Sequence, residues 1–249
     1  MVIAVSGKGG TGKTTLAAII VRHCVVRNQK PVLAVDADPN NTLGSKLGLE
    51  ADMTVGDLRE DALKKKHETT GTPKQRGIEY EVQNAIAEGN GFDLLVMGRG
   101  EGPGCYCSVN NMLRTFIHDV ASGYRHMVID NEAGMEHLSR RTDDKVDLML
   151  MVSDATPTGL RSAKRIAELA RGLGVVRGRM GLLVNRVTDR ELAISNARQF
   201  AQIEVFGLVP EDEQVEEFEL QGRSVLDLPE QSPAVAAISG VFAELKMLV

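Results

Sequence analysis

Residues 7 to 15 read Gly-Lys-Gly-Gly-Thr-Gly-Lys-Thr-Thr, which fits the spacing G-x-x-x-x-G-K-[ST]. These residue types can hold a triphosphate. Gly9, Gly10 and Gly12, with Thr11 between them, let backbone N–H groups turn inward around an anion. Lys13 is placed to reach the β- and γ-phosphates, Thr14 to offer its hydroxyl to Mg²⁺, and Thr15 to open the following helix at the anion. The context matches: residues 2–5 are an apolar, strand-like run and residues 16–26 an apolar stretch of helical length. A glycine-rich turn that binds nothing would not need that strand before it or that helix after it. ATP is expected rather than GTP, because Arg186-Val187-Thr188 follows Asn185 where an N-K-x-D pattern would be needed.

Three further groups could complete hydrolytic chemistry. Lys8 stands at the second position of the loop, where its side chain points away from the loop's own phosphates and can reach a nucleotide held by a facing subunit. A solvated loop lysine is the plain alternative. Asp36 and Asp38, at i and i+2 after a second strand-like run, project to the same side if extended. They could serve a magnesium–triphosphate, or simply form an acidic turn capping a helix that starts near Asn41. Asp130 ends another strand-like run, in Ile129-Asp130-Asn131-Glu132-Ala133-Gly134.

K-G-G-T-G-K-T-T resembles the deviant Walker A motif of the MinD/ParA/nitrogenase iron-protein group of ATPases. Asp36-Ala37-Asp38-Pro39 is similar to the group's first switch and D-N-E-A-G to its second. The resemblance implies a nucleotide-sandwich homodimer in which Lys8 neutralises the transferred phosphoryl group of the partner, as an arginine finger does. It also implies Asp36 and Asp130 near Mg²⁺, Asp38 positioning the attacking water, and catalysis carried by Lys8, Lys13 and Asp38. Asn185 and Arg186, with Pro210, Glu211 and Asp212, resemble the adenine-contacting positions; ordinary turn residues at strand ends are the alternative.

Cys105 and Cys107 form a C-x-C pair after four glycines and a proline in residues 98–104. Two thiolates do not complete a four-ligand site, but two copies of the loop across a two-fold axis would. Such a site suits zinc or another soft metal, nickel if square-planar. A pair of plain loop thiols, or a redox pair, is the alternative. Cys24, among Ile19, Ile20, Val21, Val25 and Val26, reads as a buried apolar residue. With the C-x-C in place, the chain resembles the CooC-type ATPases, which implies nickel handling for an enzyme of the carbon monoxide dehydrogenase or acetyl-CoA synthase group. Two other functions remain open. An iron–sulfur electron-transfer ATPase would carry a second cluster cysteine where Ala133 stands. A membrane or DNA positioning ATPase of the MinD/ParA type could use the stripe Ile238, Val241, Phe242, Leu245 and Leu248, though only Lys246 flanks it with positive charge.

The elements that must position these groups recur at regular intervals. Strand-like runs at 31–35, 92–97, 126–129, 147–152, 180–184 and 205–209 are mostly continuously apolar, as in strands covered on both faces. Helix-compatible segments lie at 110–121, 159–173, 191–202 and 232–248, while 51–91 reads as a helical excursion. The alternation predicts a doubly wound, mostly parallel α/β sheet with helices on both faces, of the P-loop NTPase class, with the motifs at the strands' carboxyl ends. The 249 residues fit one domain over 1–249. A net charge of −5 argues against nucleic acid as the main partner, and the clusters at Lys64–Lys66 and Arg140-Arg141 read as solvated helix faces. No apolar run of membrane-spanning length and no room for a signal peptide ahead of the loop predict a cytoplasmic protein without stable membrane association. The expected partners are a second copy of the chain and a nickel-enzyme client.

Overall fold

The computed structural model describes residues 1–38, 40–58, 60–61, 84–98, 122–131 and 146–248. Their frame is an eight-stranded sheet: β1 (Val2–Gly7), β2 (Val32–Ala37), β3 (Ile86–Glu88), β4 (Phe92–Val96), β5 (His126–Asn131), β6 (Val146–Ser153), β7 (Val176–Val187) and β8 (Val205–Pro210). The spatial order is β3-β4-β2-β5-β1-β6-β7-β8, and every pairing is parallel except that of β3 with β4. The doubly wound class expected from the alternation of elements is the one observed. Seven strands fall on the expected runs. The eighth, β3, lies inside the stretch read as a helical excursion. It is a three-residue edge strand, too short to carry an apolar pattern.

Helices cover the sheet. α1 (Lys13–Val26) is buried almost all round, every residue from Leu16 to Cys24 included, because it lies between the sheet and other helices. Cys24 is among those buried residues, and burial pushes its thiol up to about 12, as befits an inert apolar packer. α2 (Leu43–Leu47) follows the first acid pair. α3 (Pro157–Leu173) buries Leu160, Ala163, Ala167 and Ala170 along one stripe and begins with a Thr156 cap that accepts from the Gly159 N–H. α4 (Arg190–Asn196) runs into a π-helical turn over Ala197–Ala201, and α5 (Glu213–Leu220) follows β8. α6 (Pro233–Leu245) packs on β8 and α1 and buries Ile238, Val241 and Phe242. The apolar stripe near the C-terminus is thus part of the core, with Leu245 and Leu248 packed against it. No helix among the described residues is long and apolar enough to cross a membrane. The segment 110–121, expected to be helical, lies outside the described residues, as do Lys64–Lys66 and Arg140-Arg141.

In a parallel sheet all carboxyl ends lie on one side. β1 sits between β5 and β6, so the loop after Gly7 rises from the middle of that side. Asp36, Asp130, Asn185 and Pro210 all lie at or near strand carboxyl ends on the same rim.

Candidate functional site

The loop between β1 and α1 is shaped by two positive-φ glycines, Gly10 at 80° and Gly12 at 86°. Gly12 also has no room for a side chain, since a Cβ there would collide with the Asn185 amide. The Asn185 Nδ2 donates to the Thr11 carbonyl at 2.9 Å, and the Arg186 guanidinium to the Gly10 carbonyl at 3.4 Å. Residues far apart in sequence thus clamp the loop from the β7 side. Arg186 itself is held at φ 54° where the β7–β8 register slips. A left-handed non-glycine costs on the order of 1 kcal/mol and is kept where the fold re-aims a side chain. Within the loop the Lys8 carbonyl accepts from the Thr11 hydroxyl at 2.8 Å and from the Lys13 ammonium at 3.5 Å. Lys13 is buried, while Lys8, Gly9 and Gly10 are exposed. Thr15, at the start of α1, is also buried.

The acids separate into distinct roles. Asp36 and Asp130 are register partners on adjacent parallel strands, and both are fully buried. Asp36 accepts from the Asp38 N–H at 3.1 Å and from the Leu43 N–H at 2.8 Å, so one carboxylate holds both the turn and the first residue of α2. Burial pushes its pKa up, against the pull of those two amides. Asp38 is half-exposed and accepts from both the backbone and side-chain nitrogens of Asn40. Asp130 differs: neither of its carboxylate oxygens has a hydrogen-bond partner. Burial pushes its pKa up to about 7. The Thr14 hydroxyl and Lys13 pull it down without the hydroxyl meeting hydrogen-bond geometry, and the charges of Asp36 and Asp38 add to the rise. A buried, unpartnered carboxylate beside a second one is a site that a divalent cation would satisfy. The orphaned oxygens of Asp130, with Asp36 and Thr14 alongside, fit Mg²⁺. Among the described residues no cluster of three or more His, Cys, Asp or Glu is arranged around a common metal position.

A cleft opens beside the loop. Gly12, Thr15, Asn185, Arg186, Pro210, Glu211 and Asp212 line it, together with Glu216 and Glu219 of α5. The five positions proposed for the base are therefore brought together and set against the phosphate loop. The Asp212 carboxylate is spent within the fold. One oxygen accepts from the Gln214 and Val215 N–H groups and the other from the Ser232 hydroxyl at 2.6 Å and the Ala234 N–H at 2.9 Å. The Asp212 backbone carbonyl is engaged as well, accepting from the Glu216 N–H at 3.3 Å. Sequence reasoning missed Glu219, which accepts from the Thr15 hydroxyl at 2.7 Å and the Lys46 ammonium at 2.5 Å. Those partners are 204 and 173 residues away, so no spacing rule announces them.

Cys105 and Cys107, with Glu132, Ala133 and Gly134 of the second-switch match, lie outside the described residues. The strand leading towards the cysteines is described: β4 ends beside β2, and the Met97 N–H donates to the Asp36 carbonyl at 2.8 Å. Gly98, at φ 66°, begins the glycine-rich segment from there.

A family model for the CobQ/CobB/MinD/ParA nucleotide binding domain matches residues 2–225. The chain is similar to an uncharacterized ATP-binding protein of Methanocaldococcus jannaschii, 41% identical over 237 residues that span 93% of each chain. It is 30% identical to the carbon monoxide dehydrogenase accessory protein CooC of Rhodospirillum rubrum, over 94% of this chain and 91% of that one. The cell division ATPase MinD of Pyrococcus furiosus superposes with a TM-score of 0.70 at 22% identity, over 100% of this chain and 99% of that one, which shows the shared fold. The phosphate loop, the buried acids and the match along most of the chain agree: this protein belongs to the CobQ/CobB/MinD/ParA nucleotide-binding family and is an ATPase of the MinD/ParA type.

Proposed function

We propose that this ATPase is a homodimeric metallochaperone that loads a thiolate-bound soft metal, nickel rather than zinc, into an enzyme of the carbon monoxide dehydrogenase or acetyl-CoA synthase type. The observation that carries the reading is where the C-x-C segment starts. In sequence it follows directly on Met97, whose N–H donates to the Asp36 carbonyl at 2.8 Å, so Cys105 and Cys107 come eight and ten residues after a backbone tie to the acid pair. The 30% identity with CooC over nearly the whole chain supports the same reading. The entire span 1–249 would act as one domain.

In this reading Lys13 and the backbone of Gly9, Gly10, Thr11 and Gly12 hold the phosphates, with Thr15 at the helix start. Thr14, Asp36 and Asp130 hold Mg²⁺, whose charge screens the phosphate oxygens. Asp38 orients the attacking water, and Lys8 reaches into the partner's site. Asn185, Arg186 and the Pro210-Glu211-Asp212 turn flank the adenine. Closure of the dimer on ATP brings the two C-x-C pairs into one four-thiolate site, and opening after hydrolysis releases the cargo. Metal affinity and nucleotide state are then linked, each altering the other by the same factor.

Metal analysis of size-exclusion peaks, with and without ATP, tests this. The wild type should carry about one metal ion per dimer, as four thiolates require. Cys105→Ala and Cys107→Ala should lose it while still binding nucleotide. Full metal content in either variant would refute the site. A metal-free protein that pellets with liposomes or DNA in ATP would instead favour a positioning role of the MinD/ParA kind, which family membership also supports. Burial of Ile238, Val241 and Phe242 leaves that role without the C-terminal stripe as its membrane contact.

A further inference from the structure

Glu219 is a carboxylate at the edge of the nucleotide cleft that none of the hydrolytic roles uses. Its Oε1 takes the Thr15 hydroxyl from the phosphate-loop helix and the Lys46 ammonium from α2. It lies on α5, the helix that follows the Pro210-Glu211-Asp212 turn, and it lines the cleft with Gly12 and Arg186. One oxygen atom thereby joins three elements. α2 is in turn held at its first residue by Asp36, through the Leu43 N–H. The Lys46–Glu219 pair is only partly exposed, at 21% and 36% of the side chains, so solvent screens it incompletely.

The chemistry creates a competition. A hydroxyl has one hydrogen and donates to one acceptor at a time. If a nucleotide phosphate takes the Thr15 hydroxyl, Glu219 must release it. A phosphate approaching Thr15 also meets the negative charge of Glu219. We propose that Glu219 is a positioning residue for the nucleotide: it competes with a phosphate for the Thr15 hydroxyl and, through Lys46, ties the helix behind Asp36 to the base side of the cleft. Nucleotide entry breaks half of that tie and leaves Glu219 with Lys46 alone. Glu219 thus lowers affinity for nucleotide while steadying the acid that serves hydrolysis. The inference rests on the phosphate loop binding nucleotide as read above.

The test is Mg-ADP affinity by calorimetry, with steady-state ATP hydrolysis, on the full chain. Glu219→Gln keeps the shape and removes the charge. It should bind Mg-ADP about fivefold more tightly, the scale of one ordinary net hydrogen bond. KM for ATP should fall and kcat should fall with it. Glu219→Asp, which keeps the charge but withdraws it from Thr15 and Lys46, should tighten binding less, and it carries the same test if Glu219→Gln does not fold. In a Thr15→Ala background the Glu219→Gln gain should largely vanish. A merely structural Glu219 would give weaker binding and higher KM in both variants. That result, unchanged affinity, or an equal gain without the Thr15 hydroxyl would overturn the proposal. Wild-type protein that binds no Mg-ADP would instead overturn the nucleotide reading itself, and this inference with it.

Discussion

Asp130 and Asp212 are both buried aspartates on the ligand-binding rim, and they have opposite surroundings. Asp212 accepts four hydrogen bonds, from Gln214, Val215, Ser232 and Ala234, and so caps α5 while holding the first turn of α6. Asp130 accepts none, although Asp36 lies beside it in register. A buried charge costs several kcal/mol unless something compensates it, so the two carboxylates are kept for different reasons. The satisfied one stabilises the fold. The orphaned one is tolerated at the expense of stability, which is what a group kept for a cation looks like.

Substitution should pull these roles apart. The largest effect is expected for Asp130→Asn: ATP hydrolysis should fall by about two orders of magnitude or more, comparable to losing a preorganised charge-stabilising group. Without Mg²⁺, thermal melting of the variant should match or exceed the wild type, since a buried charge is gone. A large drop in melting temperature would break the contrast. Asp212→Ala should behave the other way, costing about 2–4 kcal/mol because two helix starts lose their acceptor. That should appear as a fall in melting temperature on the order of 5–10 °C. Stability equal to the wild type would show that the four bonds contribute little.

The smallest effect sharpens the comparison from the other end of β5. His126 is buried there, and neither ring nitrogen has a hydrogen-bond partner. Burial holds its pKa down at about 4, with the N-terminal amino group and Arg125 adding to the shift. The folded protein resists protonation there, while the unfolded chain takes up the proton near the usual value of about 6.5. The neutral ring's contribution is therefore complete above that value and is lost as pH falls towards 4. Urea melts of His126→Phe from pH 7 to 4 should show a shallower acid decline than the wild type; identical slopes would remove His126 as a cause. An unpartnered polar group away from the rim thus leaves a trace in stability, where Asp130 should leave one in turnover.

How far the sequence alone could reach depended on how local each signal is. The phosphate loop, the D-x-D turn and seven strands are written in contiguous residues, and all appear where the pattern of glycines, acids and apolar runs put them. β3 escaped because three residues at a sheet edge have no period to read. The resemblance places Asp212 among the adenine-contacting positions, but it does not reveal that the carboxylate is committed within the fold. Asp212 ahead of Glu213-Gln214-Val215, and Ser232 ahead of Pro233, are cap signatures that could have shown this. Glu219 was hidden among the acids of α5, since its partners belong to α1 and α2.

The all-round burial of α1 has a consequence for motion. Amides in a helix covered on every side exchange with solvent only when the whole unit opens, so those from Leu16 to Cys24 should be among the slowest in the molecule. ATP can do little to slow them further. Its imprint on hydrogen exchange should fall instead on the exposed turn from Lys8 to Gly10 and on the short α2. The helix that receives the phosphate serves as the fixed anvil, and the segments around it are the parts that keep time with the nucleotide.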